Sequence, residues 1–367
     1  MEVPNEDYTI SSFHAFLRKI STQYSQQLKL VCLVTFFPSG RSIQPSPTVD
    51  QLFRRQKFEV QKKGVIHEFS TFLVDKKTGE KLVIKLHCYL SPDNQILKCF
   101  TTDKSDEVER VLDDVVDAGG LYYLWINPTA FDELKDKLLV YPGTAITSFT
   151  GSRVPSTTLP SRVRPDVKRT VTYYGDDGEE TLQELKFQYG VVADVIRFRI
   201  PTHADLQISR KGIFTYNSGD FDFVIKSSDL AVDLALRSKG LFDSSRVATV
   251  PLRTARRSLE LNQFTPWMIE FNRDIESDDL EQLFTELQHS KFAVYNSIIL
   301  KGSLHGEGTV LDEIYRTIFT VTVDSKRMAI APRYDTSSES FLRFFRTVVE
   351  RFDPSARAIA PVEPQLG

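Results

Sequence analysis

Cysteine is scarce in this chain of 367 residues: Cys32, Cys88 and Cys99 are the only three. An odd count with no two at CxxC spacing excludes a paired disulfide framework and a zinc-finger ligand set. All three lie in apolar, strand-like runs, where a free thiol packs as a small buried hydrophobe, and this fits a reducing cytoplasm. Long apolar runs are missing as well, and none approaches the ~20 residues that span a bilayer. The opening MEVPNEDYTI is acidic and polar, without the apolar core of a secretory signal. The expectation is a cytoplasmic protein with no membrane association. An excess of positive charge is also absent: 46 basic and 49 acidic residues give a formal net charge of −3. No global field drives the molecule onto nucleic acid, so binding of that kind must use a local patch.

The common mechanistic motifs do not occur. The chain has no GxxxxGK[ST], no complete GxGxxG, and no HExxH, GxSxG or EF-hand loop. Gly306-Glu307-Gly308 lacks the third glycine and reads as a hairpin turn. Six histidines, at 14, 67, 87, 203, 289 and 305, share no local metal-ligand spacing. His67-Glu68 lacks a second histidine four residues on. No cofactor is expected, and no catalytic residue is assigned.

What is present is an ordinary globular composition, 41% apolar and 26% charged, in a chain long enough for two or three units. Ser11 or Ser12 caps a first helix carrying Phe13, Phe16, Leu17 and Ile20 on one face. Leu28 to Phe37 reads as a buried strand, and Thr48 with Gln51 as a capping box. Alternating runs at Val65–Val74, Lys81–Leu90 and Gln95–Thr101 form a meander, followed by a helix with Val108, Val111, Leu112 and Val115 on its apolar face. Leu121–Ile126 reads as a strand, and Asn127-Pro128 opens the next helix.

From Arg169 the order strand, helix, three strands, helix recurs, and it recurs again from Thr265. The last unit has long strands at Phe292–Leu304, Val310–Val323 and Arg327–Pro332, and a helix opened by Thr336 and Glu339. The fold class is therefore α+β, antiparallel strand meanders with packed helices, arranged as three β-α-β-β-β-α pseudo-repeats. The units run 1–118, 169–245 and 246–353, with a strand-helix connector and basic loop at 119–168. A tail from 354 to 367 is expected to fray.

Chemistry concentrates between Gly143 and Gly190. Arg153, Arg162, Arg164, Lys168 and Arg169 are interrupted by one acid, Asp166, and surrounded by serines and threonines from Thr147 to Ser161. Guanidinium forks and hydroxyls both suit phosphate oxygens. Tyr173 and Tyr174 lie just beyond and are placed to stack on bases. Arg197, Arg199, Arg210 and Lys211 extend the patch when the following strands fold beside it; Arg253, Arg256 and Arg257 form a second basic run. The first reading is a non-enzymatic module binding DNA or RNA through this loop. The same composition also suits a solvated linker between units.

The second reading is an accessory subunit or scaffold of a multiprotein assembly, docking protein partners through long apolar edge strands. A third is a metal-dependent nuclease or phosphohydrolase. Asp176, Asp177, Glu179 and Glu180 offer the hard oxygen ligands of a divalent cation. The same four acids also read as a helix start, with Asp177 and Glu180 as a capping box. The hairpin carboxylates Asp75 and Glu80 with Lys85 invite a nuclease comparison, but Glu80 and Lys85 are spaced by five residues rather than two.

Overall fold

The computed structural model describes residues 7–23, 28–35, 48–74, 79–93, 95–118, 120–153, 169–243, 247–253, 258–264, 266–300, 304–333 and 338–359. Helix α1 (Ile10–Gln23) leads into β1 (Leu28–Thr35), α2 (Val49–Arg55), the meander β2 (Glu59–Lys63), β3 (Ile66–Val74), β4 (Lys81–Leu90) and β5 (Ile96–Thr101), and α3 (Ser105–Asp117). Next come β6 (Leu121–Tyr123), α4 (Pro128–Leu139), β7 (Ala145–Arg153), β8 (Arg169–Tyr174) and α5 (Gly178–Tyr189). After them run β9 (Val191–Ile200), β10 (Ala204–Ser209), β11 (Ile213–Gly219) and α6 (Phe221–Asp243). The hairpin β12 (Val247–Arg253) and β13 (Ser258–Phe264) precedes β14 (Trp267–Glu270) and α7 (Ser277–His289). The chain ends on β15 (Phe292–Leu300), β16 (His305–Asp312), β17 (Thr317–Val323), β18 (Arg327–Pro332), α8 (Ser338–Arg351) and β19 (Arg357–Ile359).

The class is α+β, built from antiparallel meanders. Local chemistry explains several starts. Thr48 and Gln51 exchange side-chain to backbone bonds of 2.9 and 3.3 Å at the head of α2. Asn127 accepts from the Ala130 amide at 2.8 Å, with Pro128 at the first position of α4. At α1 the capping hydroxyl is Thr9, not Ser11 or Ser12: Thr9 accepts from the Ser12 amide at 3.2 Å while Ser12 returns the bond at 3.0 Å. Thr336 lies outside the described residues.

The larger sheet has the order β2-β3-β4-β5-β1-β11-β10-β9-β7-β8. β1 is its junction. It pairs with β5 along one side, and along the other with β11 through Leu28–Val31 and with β6 through Leu33–Thr35. The smaller sheet runs β15-β16-β17-β18-β14-β19, so β19 extends into the stretch expected to fray.

The anticipated order of elements recurs with a modification. In the first and last units one strand and one helix precede a meander of four strands, not three, and the leading strand lies beside the last of the four. The middle unit keeps three strands after α5, but β7 and β8 add to the side of β9. Two misread segments account for the extra strands. β2 reads EVQKK and lacks an apolar rhythm. Val310–Val323 is broken after Asp312, whose carboxylate accepts from the Ile314 and Tyr315 amides and so turns the chain. Gly306 and Gly308 belong to β16 instead of a turn. A Cβ on Gly306 would lie 2.2 Å from Leu280 Cδ2, so the glycine admits α7 against the sheet.

Three apolar clusters hold the molecule. One fills the space between the larger sheet and α1, α4, α5 and α6. A second lies on the opposite face of the β2–β5 and β1 half, under α2 and α3. The third sits between the smaller sheet and α7 and α8. Among the described residues, apolar clusters therefore cover the larger sheet on both faces in one half and on a single face in the other. The face without such a cluster belongs to β8, β7, β9 and β10.

Candidate functional site

Two strands from the hydroxyl-rich stretch form the margin of that face. On β7, Ile146, Phe149 and Gly151 turn inward, and the phenyl ring of Phe149 stacks on Tyr173 at 5.2 Å and 20°. The intervening Ser148, Thr150 and Ser152 must face the other way. Pairing with β8 sets Ser148 opposite Tyr174, Thr150 opposite Thr172, and Ser152 opposite Thr170. Across β9 the same rows continue to Arg197, Val195 and Val192. Arg197 in turn lies opposite Gln207, and Gln207 opposite Thr215. Five hydroxyls thus share one broad face with an outward tyrosine, Tyr174, which is 80% exposed. The corner near Ser152 and Thr170 borders a cavity of about 230 Å³, roofed by Val349, Glu350 and Pro354.

The predicted cations divide into three groups. Arg162, Arg164 and Lys168, with Arg256 and Arg257, lie outside the described residues. Arg169 is exposed at the start of β8. Arg153, directly opposite Arg169, is 3% exposed and points into the molecule on the side of Phe149 and Gly151, so it leaves the surface set. Tyr173 also leaves that set: its ring packs on Phe149 and its hydroxyl donates to Asp177.

The proposed extension is charge-compensated. Arg197 grips Asp205 with two bonds of 2.9 and 2.8 Å, and Asn217 adds a third to the same carboxylate at 3.0 Å. Arg210 pairs with Asp194, Lys211 with Glu109 at 3.0 Å, and Arg199 approaches Asp176 at 3.6 Å. Burial alone would raise the Asp205 pKa, but the Arg197 fork and Asn217 prevail and hold it below the usual carboxylate range.

In the acidic run 176–180, Asp176 faces Arg199 and Asp177 accepts from Tyr173. Asp177 occupies the N-cap position of α5, yet its side chain takes the Tyr173 hydroxyl and caps no backbone amide, so the expected box with Glu180 does not form. Gly178 fits where a Cβ would come within 2.3 Å of the Ile146 carbonyl oxygen. Among the described residues no three His, Cys, Asp or Glu side chains cluster as metal ligands. The three cysteines are buried, and burial pushes the Cys32 thiol up to about 12, far from thiolate chemistry at neutral pH.

Sequence reasoning identified Ser148, Thr150, Ser152 and Tyr174, but missed Thr170 and Thr172 and the face that all of them share. Its one available signal was the alternation S-F-T-G-S against T-V-T-Y-Y.

A family model described as a family middle domain matches residues 129–211. That span runs from α4 to the turn after β10 and includes all the strands bordering the hydroxyl face. The chain is also similar to a protein of Archaeoglobus fulgidus described as uncharacterized. The two are 27% identical over 314 residues, covering 78% of this chain and 85% of that protein. Among the described residues no helix is long and apolar enough to cross a membrane.

Proposed function

We propose that this protein is a non-enzymatic cytoplasmic binding module that holds single-stranded DNA or RNA across the β8-β7-β9 face. The observation that carries the reading is the convergence of Ser148, Thr150, Ser152, Thr170 and Thr172 with the exposed ring of Tyr174. Hydroxyls donate to phosphate and sugar oxygens, and an exposed ring stacks on a base of any identity, worth about 1–3 kcal/mol per base. Arg169 is exposed at the start of β8 but lies opposite Arg153, on the Tyr173 side of the strand, and the segment carrying Arg162, Arg164 and Lys168 immediately precedes it in sequence. The carboxylate partners of Arg197, Arg199, Arg210 and Lys211 keep the rest of the surface near neutrality, so long-range attraction has to come from Arg169 and that segment.

The test is fluorescence anisotropy with labelled oligonucleotides at several salt concentrations. Binding should weaken with salt, and replacing Arg162, Arg164 and Arg169 by alanine should lower the slope of log K against log salt by about 0.7 per lost phosphate contact on single strands. Tyr174→Ala should weaken binding without altering that slope. Absence of binding at low salt ends this reading.

The second reading, a subunit of a protein assembly, draws on a different edge. β15 contains no charged residue and exposes Tyr295 (52%), Ile298 (57%) and Leu300 (51%). Light scattering on the protein isolated from its native extract decides it: a free monomer argues against.

A further inference from the structure

A cleft lies between β6 and the helix and turns around the smaller sheet, and none of the five face hydroxyls lines it. One wall comes from β6 and the residues after it, the other from α8, the α7–β15 turn and the turn after β16. The cavity between them measures about 690 Å³, inside the roughly 300–1,000 Å³ range of small-molecule sites. Two bonds span the walls. The Tyr122 and Tyr315 hydroxyls meet, and Trp125 Nε1 donates to Glu350 at 3.0 Å. Burial pushes the Tyr315 hydroxyl up to about 12, so this pair stays protonated and adds no negative charge to the cleft.

The lining combines two chemistries. Tyr122, Tyr123, Trp125 and Tyr315 supply aromatic surface, each partly exposed. Lys291 supplies an open ammonium, and Arg346, ion-paired to Glu350 through Nε, supplies its two Nη groups. Lys291 makes no ion pair among the described residues and sits at φ 61, an uncommon backbone state for a lysine, immediately after α7. Arg346 spends its Nε on Glu350 at 3.0 Å, leaving both Nη groups without a bond among the described residues. Three acids also line the cleft, Asp117, Glu339 and Glu350; Glu350 holds Trp125 and Arg346, so its charge is shared by two donors. A second arginine, Arg343, is engaged by the fully buried Asp312 at 3.0 Å and the Ser290 carbonyl, and it packs over the Phe292 ring at 4.0 Å. It is part of the wall, and it fixes the turn that presents Lys291.

We propose that this cleft binds a nucleoside phosphate, its ring against the tyrosines and Trp125, its phosphate in the fork of Arg346 beside Lys291. An aromatic wall alone would take a nucleoside, and a lysine with an open guanidinium alone would take free phosphate. Only a ligand with both parts uses the whole cleft. The site shares Glu350 with the cavity at the corner of the hydroxyl face, and its ligand touches β6 of the larger sheet and α8 packed on the smaller one.

Trp125 is the built-in probe. The second tryptophan, Trp267, is 4% exposed and packed on Phe341, so a change in emission on titration reports on Trp125. Titration of the full chain with AMP and ATP should produce a saturable change. Adenosine and pyrophosphate, each holding half of the chemistry, should bind about tenfold or more weaker. The Lys291→Gln and Arg346→Gln double variant should lose the nucleotide response while keeping its emission maximum and melting temperature. No response to either nucleotide up to about 1 mM overturns the proposal, since 1 mM is already weak affinity. So does equal binding of pyrophosphate, or a double variant that folds and still responds. Should that variant misfold, Lys291→Gln alone, at an exposed position, followed by calorimetry with AMP supplies the same decision: weaker binding than the parent supports the site and unchanged binding refutes it.

Discussion

The larger sheet contains its own control, because its two halves meet different surroundings. From β3 to β1 it is apolar on both faces: Phe69, Leu86, Cys88 and Leu97 point toward α2 and α3, while Leu30, Ile66, Ile96 and Phe100 point toward α1 and α6. From β11 to β8 the α1 side stays apolar through Phe214, Ile208, Phe198 and Phe149, but the opposite side turns to threonine, serine and paired charges. A surface without an apolar cluster over it has to keep its hydrogen-bonding groups wet or paired. Burial is therefore spent on stability in the first half, whereas the second half retains one face for contacts with something outside the molecule.

Breaking the covered half should have the largest effect. Phe69 is fully buried and stacks on Phe53 at 3.9 Å. Phe69→Ala should cost about 3–5 kcal/mol, through lost transfer energy and a residual cavity, measured as a shift of the urea midpoint at unchanged slope. A loss below about 1 kcal/mol, typical of a surface change, would mean that this face is not packed as described.

A smaller effect is expected from the charge pair on the open half. Asp205 has its pKa lowered in the folded protein, so the carboxylate contributes stability above the unfolded value of about 3.9 and loses it as pH falls through the lower folded value. Urea midpoints followed from neutral pH into that acid range should fall less steeply in Asp205→Asn than in the parent. Equal slopes would show that the Arg197 fork adds nothing in solution.

The smallest stability effect belongs to the hydroxyl rows. Thr150→Val with Thr172→Val keeps two β-branched residues opposite each other and should change stability by no more than about 0.5 kcal/mol. On the proposed reading the same variant binds oligonucleotide less tightly. Unfolding curves and anisotropy on one sample separate the two results, and a variant with unchanged affinity would leave the open face without a role in binding.

The sequence disclosed elements far better than it disclosed neighbours. Capping residues act within three or four positions, so Thr48 with Gln51 and Asn127 with Pro128 were readable directly. β2 escaped because an edge strand needs no buried face, and its Glu59, Lys62 and Lys63 carry no periodic signal. The Gly306–Gly308 pair was misread because the demand for a small residue comes from Leu280, on a separate element.

The candidate site shows the same limit. Its hydroxyls and Tyr174 stand out in composition, but Asp205 against Arg197 and Asp194 against Arg210 are matched only once strands pair. A row of arginines in text cannot show whether each already has an acid opposite. The inward turn of Arg153 follows from register, which two bulges between β7 and β9 help to set.

The position of β1 carries a consequence for how the molecule comes apart. A strand that shares one flank with β5 and the other with β11 and β6 cannot leave without opening every one of those ladders. Residues 1–118 produced alone would present a naked flank of β1 along Leu28–Val31, an aggregation-prone margin that the intact chain keeps closed. Dissection at the visible boundary would divide what melts as a unit, and heat or denaturant should report both halves of the sheet in a single transition.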